Sequence, residues 1–129
     1  MKRESTLFAV ILGVALATAC SSIPQTRPAD PAPFLGEWEG TWASNTSSGS
    51  GSLNTRIDPP DAKGRIWAHT TLTNAVISRF SIPTGLVNGE LVLKSPTLDI
   101  VFRLHGDQLV AEYHNKRIND KGTWYLKKK

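Results

Sequence analysis

Few side chains in this sequence have the spacing that catalysis or metal binding requires. The conventional general bases are His69 and His114, on predicted outward faces, and His105, on a predicted turn. No HExxH motif or cysteine–histidine cluster occurs, so no zinc site is indicated. Glu37 and Glu39 share one face of one strand, whereas a glycosidase needs its carboxyl pair across a cleft. The sequence therefore predicts a protein that is not an enzyme and uses no metal or cofactor.

Cys20 is the one residue whose surroundings point to a specific reaction, and it is the only cysteine in the chain. It follows an almost uninterrupted apolar run over residues 7–19, which Lys2 and Arg3 precede. As a helix this run would rise only about 20 Å, which is too short for a hydrocarbon core of ~30 Å. The run therefore indicates the apolar part of a secretory signal peptide rather than a membrane anchor that stays in place.

Residues 16–20, Leu-Ala-Thr-Ala-Cys, resemble the lipobox of bacterial lipoproteins. In that family the cysteine thiol is alkylated with diacylglycerol, the chain is cut before it, and the new amine is acylated. The resemblance implies a signal peptide over residues 1–19 and acyl chains such as palmitate on Cys20. The family usually has leucine three residues before the cysteine, whereas here that residue is Ala17 and the leucine is Leu16.

A lipoprotein of this kind is implied to be a membrane-anchored protein of the cell envelope. Ser21 follows the cysteine, in place of the aspartate that retains such proteins at an inner membrane. In a host with two membranes, the resemblance thus implies the outer membrane, facing the periplasm. Several acyl chains anchor a protein stably where one chain would bind only marginally.

Residues 20–33 join the lipidated cysteine to the rest of the chain and contain four prolines. The segment has too few apolar side chains to fold, and proline favours polyproline II at ~3.1 Å per residue. We predict a semi-rigid tether that reaches up to about 40 Å.

The remaining residues, 34–129, have the size of one domain. They show period-2 alternation broken by turn residues, in eight segments, and no amphipathic helix. This pattern predicts an all-β fold, an antiparallel up-and-down meander of about eight short strands in a small closed or nearly closed barrel. A β-sandwich is the alternative. Within the meander the fourth segment is expected to carry Val76 on its inward face and to end at residues 83–85.

Two Gly-x-Trp sequences, at Gly36–Trp38 in the first predicted strand and Gly122–Trp124 in the last, resemble the opening and closing strands of calycin-type barrels. That superfamily includes lipocalins, fatty-acid-binding proteins and avidins. The resemblance implies an up-and-down barrel with the indole of Trp38 across its floor. The C-terminal helix of lipocalins has no counterpart here, and no binding residue is transferred from the family.

Large side chains on the predicted inward face either line a ligand pocket or fill the barrel completely. The residues predicted to line a pocket are Trp38, Trp42, Thr70, Ser78, Phe80, Phe102, Tyr113 and Trp124, with Thr55 as a further inward hydroxyl. Three apolar residues predicted to face outward, Trp67, Val101 and Tyr125, form a candidate interaction patch, unless the strand register is shifted by one residue.

Charge is concentrated near the C-terminus. Residues 34–114 carry six Lys/Arg and eight Asp/Glu, a net of −2, whereas residues 115–129 carry six Lys/Arg and one Asp, a net of +5. Nucleic acid is not an expected partner, because no basic groove with interleaved aromatic residues is present. The expected function is a lipid-anchored, non-enzymatic barrel that binds a small apolar or amphipathic molecule. The alternative is a filled barrel that binds an envelope protein or a cell-wall polymer.

Overall fold

A computed structural model describes residues 30–46, 49–74 and 76–129. Cys20, the predicted signal peptide and nearly all of the predicted tether lie outside these residues. Eight antiparallel strands follow one another around a closed barrel, each paired with its neighbours in sequence, and β8 pairs with β1. The strands are β1 Gly36–Ser44, β2 Ser50–Ile57, β3 Ile66–Thr73, β4 Ile77–Val87, β5 Glu90–Lys94, β6 Leu98–His105, β7 Gln108–Asn115 and β8 Asp120–Lys128. The predicted all-β, up-and-down barrel is confirmed, and the sandwich is excluded by the closure.

Alternation decides which side chains form the core. In β1 the burial pattern places Trp38 and Trp42 inside and the intervening glutamate and threonine outside. The same rule holds for most of the chain, and the buried apolar core comprises Phe34, Trp38, Trp42, Leu53, Ile57, Ile66, Ala68, Ile82, Leu91, Ile100, Phe102, Leu109, Ala111, Trp124 and Leu126. Such a core stabilises the barrel by roughly 25 cal/mol per Å² of apolar surface removed from water.

The predicted end of the fourth strand is wrong. β4 continues through Pro83 to Val87, and the chain turns at Asn88 and Gly89 instead. These two residues have φ angles of 51° and 79°, which is the pairing that a type I′ hairpin turn requires. The Asn-Gly dipeptide is a stronger hairpin signal than the preceding Pro-Thr-Gly.

The placement of Val76 on the inward face is also wrong. It lies in the β3–β4 hairpin, before the strand begins, and most of its surface is exposed. Asn74 holds this hairpin, because its Oδ1 accepts a hydrogen bond from the N–H of Val76 at 3.1 Å and its own N–H donates to the Val76 carbonyl.

The two ends of the barrel differ. At one end, here called the closed end, a short 3-10 helix, Ala32–Phe34, precedes β1 and buries Phe34 completely. The indole N–H of Trp38 donates to the Phe34 carbonyl at 2.8 Å, so this indole lies at the closed end. Lys128 covers the other side, since its ammonium lies 4.7 Å from the Trp38 ring centroid and donates to the Leu35 carbonyl.

Candidate functional site: a cavity at one end of the barrel

A cavity of about 430 Å³ lies at the end opposite to Phe34, here called the mouth. This end carries the β1–β2, β3–β4, β5–β6 and β7–β8 loops. The cavity walls are mostly apolar and aromatic, and its polar residues gather at the loop side. The lining residues are Trp42, Leu72, Ser78, Phe80, Ile82, Thr97, Leu98, Ile100, Tyr113, Asn115, Arg117, Asp120 and Trp124.

Trp124 forms the centre of the aromatic wall. Its ring lies 6.4 Å from the ring of Phe80, 6.2 Å from that of Tyr113 and 5.8 Å from that of Phe102 between centroids. The contact with Phe102 is edge-to-face at 71°, a favoured geometry for aromatic pairs. Trp42, opposite Trp124 in the β1–β8 register, extends the same wall.

The wall has a gap between β4 and β5. The short strand β5 pairs only with Gly85, Leu86 and Val87 of β4, so residues 77–84 have no ladder partner on that side within the described chain. Ser78, Phe80 and Ile82 of this segment line the cavity. The cavity therefore lies beside an incompletely paired strand as well as beneath the loops.

A buried carboxylate stands at the mouth. Asp120 is only 6% exposed, and its oxygens accept hydrogen bonds from the hydroxyls of Ser44, Thr46 (2.7 Å) and Tyr113 (2.9 Å). Burial, followed by the interaction with Asp120, raises the pKa of Tyr113 to about 12, so its phenol stays protonated as a donor. Arg117, exposed on the β7–β8 turn, is the cation that lines the same cavity.

The structure brings together only part of the predicted pocket. Trp42, Ser78, Phe80, Tyr113 and Trp124 line the cavity. Phe102 is fully buried behind Trp124, Trp38 lies at the closed end, and the Thr70 hydroxyl bonds that of Thr55 at 2.7 Å in the core, so none of these three lines it. All three face inward as predicted, but period-2 alternation does not specify a residue's height along the barrel axis.

Sequence reasoning missed the polar mouth, Thr97, Asn115, Arg117 and Asp120. These residues lie in loops or at strand ends, where no periodicity marks them. The one available signal was Asp120, which comes two residues before Gly122 and is the only acidic residue of the strand that contains Gly122 and Trp124.

The three residues of the predicted surface patch do not form one patch. Val101 on β6 and Tyr125 on β8 are separated by β7, and Trp67 on β3 lies on the far side of β1 and β2 from Tyr125. Trp67 is also occupied, because Arg65 lies 5.3 Å over its ring, His69 stacks at 6.4 Å, and its indole N–H donates to Asp61 at 2.9 Å.

A polar groove of about 450 Å³ runs over the outside of β1–β4. Its outward side chains are Glu37, Asn54, Arg56, His69, Thr71, Arg79, Ser81 and Lys129, and the inward-facing Trp38, Thr55, Thr70 and Phe80 lie between them. His69 is fixed there, since Nδ1 lies 2.7 Å from the Ser81 hydroxyl and Nε2 lies 2.9 Å from Asp58. Arg56 holds the pKa of the Asp58 carboxyl below its usual range.

The serine–histidine–aspartate contacts on this face resemble an acid–base relay in composition only. Both contacts are cross-strand or loop contacts at the barrel surface, and Arg56 neutralises the aspartate through a 2.9 Å ion pair. The cavity at the mouth, with its apolar walls, is the better candidate for a site. No cluster of three or more potential metal ligands occurs among the described residues.

Comparisons of this chain with protein-family models, with curated proteins and with solved structures found no match. The helices in the part of the chain that the structure describes include none with the length and hydropathy of a transmembrane span.

Proposed function

We propose that this protein is a non-enzymatic binding protein that holds one small amphipathic molecule in the cavity at the mouth of its barrel. The observation that carries this proposal is the cavity itself, about 430 Å³ with walls of Trp42, Phe80 and Trp124 and polar groups on the loop side. Ligand sites are typically concave, mostly apolar and a few hundred Å³ in volume, with a small number of placed polar groups.

The cavity has an apolar wall and a polar entrance, and this division indicates which parts of the ligand each would bind. An apolar portion fits against the aromatic wall, and a polar portion fits at the loops, where the Arg117 guanidinium can bind a carboxylate or phosphate through paired N–H donors. Three hydroxyls solvate the Asp120 carboxylate in the same cavity, and its negative charge directs an anionic ligand group towards the Arg117 side of the entrance.

Filling the cavity tests this proposal. Ser78→Trp places an indole in the cavity, whereas Ser81→Trp on the same strand places it on the outer face. With anilinonaphthalene sulfonate as the probe, we expect the first variant to weaken binding at least about tenfold, a loss of about 1.4 kcal/mol, and the second to bind as the parent does. Equal binding by both variants would show that the probe is held elsewhere.

We further propose that the chain is a lipoprotein of the cell envelope, anchored by acyl chains on Cys20. The support is the sequence alone: an apolar run, small residues and a single cysteine in that order. Intact mass measurement of the protein extracted from membranes should show loss of residues 1–19 and the added mass of diacylglycerol and a further acyl chain. Cys20→Ser should yield neither, and an unmodified thiol in the parent would refute the anchoring.

The polar groove on β1–β4 supports a second candidate, an interaction surface for a cell-wall polymer or an envelope protein. Its lining offers both cations and hydrogen-bonding groups, among them Arg79 and Asn54. Arg79→Glu should then abolish co-sedimentation with isolated cell walls and leave dye binding unchanged. Unchanged sedimentation would remove the groove from consideration.

A further inference from the structure

The exposed apolar side chains of this barrel are concentrated around the mouth. Of the five large apolar residues that are exposed in the described chain, Val76 (67%), Ile77 (60%) and Ile118 (64%) lie at this end. Isolated exposed apolar residues are ordinary, but several around one opening mark a contact surface.

These residues stand on opposite sides of the opening. Val76 and Ile77 belong to the β3–β4 hairpin and Ile118 to the β7–β8 hairpin, which are four strand positions apart in a ring of eight. The cavity lies between them, lined by Ser78 on one side and Asn115 on the other. The apolar tips therefore flank the entrance rather than close it.

The charges at the same end are predominantly positive. Lys94, Arg117 and Lys121 are exposed there, and Arg79 lies near the same end, two residues after the start of β4. The acidic residues of the described chain at this end are Asp99, which pairs with Lys116 at 3.1 Å, and Asp120, which is buried among hydroxyls. Hydrogen bonding to Lys116 lowers the pKa of the Asp99 carboxyl.

We propose that the mouth rim, defined as Val76, Ile77, Ile118, Lys94 and Lys121, docks on the surface of a membrane that contains anionic lipids. Aliphatic side chains enter the boundary between headgroups and acyl chains, and the surrounding cations are attracted by the negative surface potential. A protein partner of this surface would need acidic complements to the same cations, whereas a bilayer supplies both properties in any orientation about the barrel axis.

Docking in this orientation places the cavity entrance against the lipid. One consequence rests on the proposed binding function: an amphipathic ligand held in the cavity can pass between the cavity and the bilayer without crossing water. The gap between β4 and β5 lies on the same side as Val76 and Ile77, which extends the entrance towards the membrane. Asp30, where the described chain begins, lies at the closed end next to Phe34, so the predicted tether joins the barrel away from the docking face.

The test is co-sedimentation of the unlipidated chain with vesicles. All eight strands and the core lie within residues 34–128, so a chain that begins at Ser21 retains the complete barrel without the apolar run. We expect it to bind vesicles of phosphatidylglycerol and phosphatidylcholine, to bind pure phosphatidylcholine at least about tenfold more weakly, and to dissociate as salt rises.

Matched variants locate the contact. Ile77→Ser with Ile118→Ser, or Lys94→Glu with Lys121→Glu, should each lower the partition coefficient about tenfold or more. The controls lie at the closed end: Val87→Ser, which removes an apolar residue of similar exposure (52%), and Lys63→Glu with Lys127→Glu. These should bind vesicles as the parent does, and circular dichroism confirms that each variant is folded.

Absence of binding to anionic vesicles overturns the docking proposal, and so does an equal loss in the closed-end controls. Capture of a protein that the mouth variants lose, with no vesicle binding by the parent, would assign the rim to a protein interface instead. The dye assay with Ser78→Trp separates the two proposals. Dye binding without vesicle binding refutes docking alone, and vesicle binding without dye binding refutes the ligand function alone.

Discussion

Asp120 shows how a single buried carboxylate organises the mouth of the barrel. Three hydroxyls, from β1, the β1–β2 loop and β7, donate to its two oxygens. Since Asp120 belongs to β8, these bonds connect the first and last strands where their pairing closes the barrel. Hydrogen bonds to a charged acceptor are stronger than neutral ones, and losing one leaves the buried charge poorly solvated. The cluster therefore both stabilises the closure and sets the polarity of the cavity entrance.

Tyr113→Phe should lower the free energy of unfolding by about 1–3 kcal/mol, because it removes one donor from the buried Asp120 carboxylate. Denaturant unfolding at neutral pH measures this loss. The control is Tyr125→Phe, which alters an exposed ring on the outer face of β8 and should change stability little. A Tyr113→Phe barrel as stable as the parent would mean that the cluster contributes nothing to the closure.

The Tyr113 phenol also predicts a specific pH dependence. Its pKa is about 12 in the folded state and near 10 when unfolded, so the unfolded chain loses this proton first. Its contribution to stability is complete below pH 10 and declines as the pH rises towards 12. In the Tyr125→Phe variant, phenolate absorbance should therefore appear near pH 12 while the barrel is folded. A midpoint near 10 would contradict the burial of this hydroxyl.

One side chain holds the β2–β3 loop. The Asp61 carboxylate accepts hydrogen bonds from the Trp67 indole, from the backbone N–H groups of Lys63 and Arg65, and from the Arg65 guanidinium, all between 2.9 and 3.0 Å. The Trp67 bond contributes most to holding the pKa of Asp61 well below its usual value. No residue of this loop is fully buried, so no apolar side chain orders it in place of Asp61.

Acid should loosen this loop in a way that Asp61→Asn abolishes. Because the folded pKa is depressed, the stabilisation is present above the ordinary value of 3.8 and is lost as the pH falls below it. The parent should lose stability more steeply than Asp61→Asn below that pH, and Asp107→Asn in the β6–β7 turn should follow the parent. If the parent and Asp61→Asn lose stability equally as the pH falls below 3.8, Asp61 does not have this role.

The pairing of β1 with β8 depends on a glycine. A Cβ on Gly40 would lie 1.8 Å from the Tyr125 carbonyl oxygen, so the two strands could not approach as they do. Gly85, also within a strand, has open space at the corresponding position. Gly40→Ala should therefore destabilise the barrel by about 3 kcal/mol or more, whereas Gly85→Ala should be neutral or mildly stabilising. Thermal unfolding of the two variants compares them directly, and equal midpoints would contradict the close approach.

The whole molecule is a barrel with unlike ends. Phe34, Trp38 and Lys128 close one end, while the other has a cavity, an incompletely paired strand and exposed aliphatic tips. The C-terminal basic residues are divided between them, since Lys116, Arg117 and Lys121 lie at the mouth and residues 127–129 at the closed end. The single basic edge that the sequence indicates therefore becomes two separate charged regions.

Intrinsic tryptophan fluorescence should distinguish the two ends of the barrel. Trp42 and Trp124 line the cavity, whereas Trp38 lies at the closed end. Titration with anilinonaphthalene sulfonate should change the tryptophan emission of the parent and of Trp38→Phe to a similar extent. The double variant Trp42→Phe/Trp124→Phe, if folded by circular dichroism, should lose most of the change, because it removes both indoles that line the cavity. A response carried by Trp38 would place the dye at the wrong end of the barrel.

Much of the fold was predictable from the residues. Alternation identified the inward faces of β1, β6 and β8 correctly, because side chains in a strand point to opposite sides with a period of two. The fourth strand was misjudged at both ends: Val76 is an exposed hairpin residue, and the turn lies at Asn88 rather than at Pro83. Apolar residues in a hairpin carry no mark that distinguishes them from the first residues of a strand.

The amino-acid sequence alone predicts an antiparallel meander of about eight strands, in a closed or nearly closed barrel or in a sandwich, and, through Cys20 and the apolar run before it, a lipid anchor. The pairing of β8 with β1 in the structure shows that the barrel is closed. The three-dimensional arrangement was needed to show that one cavity is lined by Trp42, Phe80, Tyr113 and Trp124, with Phe102 buried behind it. The reason is geometric. Strand periodicity gives the face of each side chain, but its height in the barrel and its distance from the loops follow from register and closure, which depend on all eight strands together.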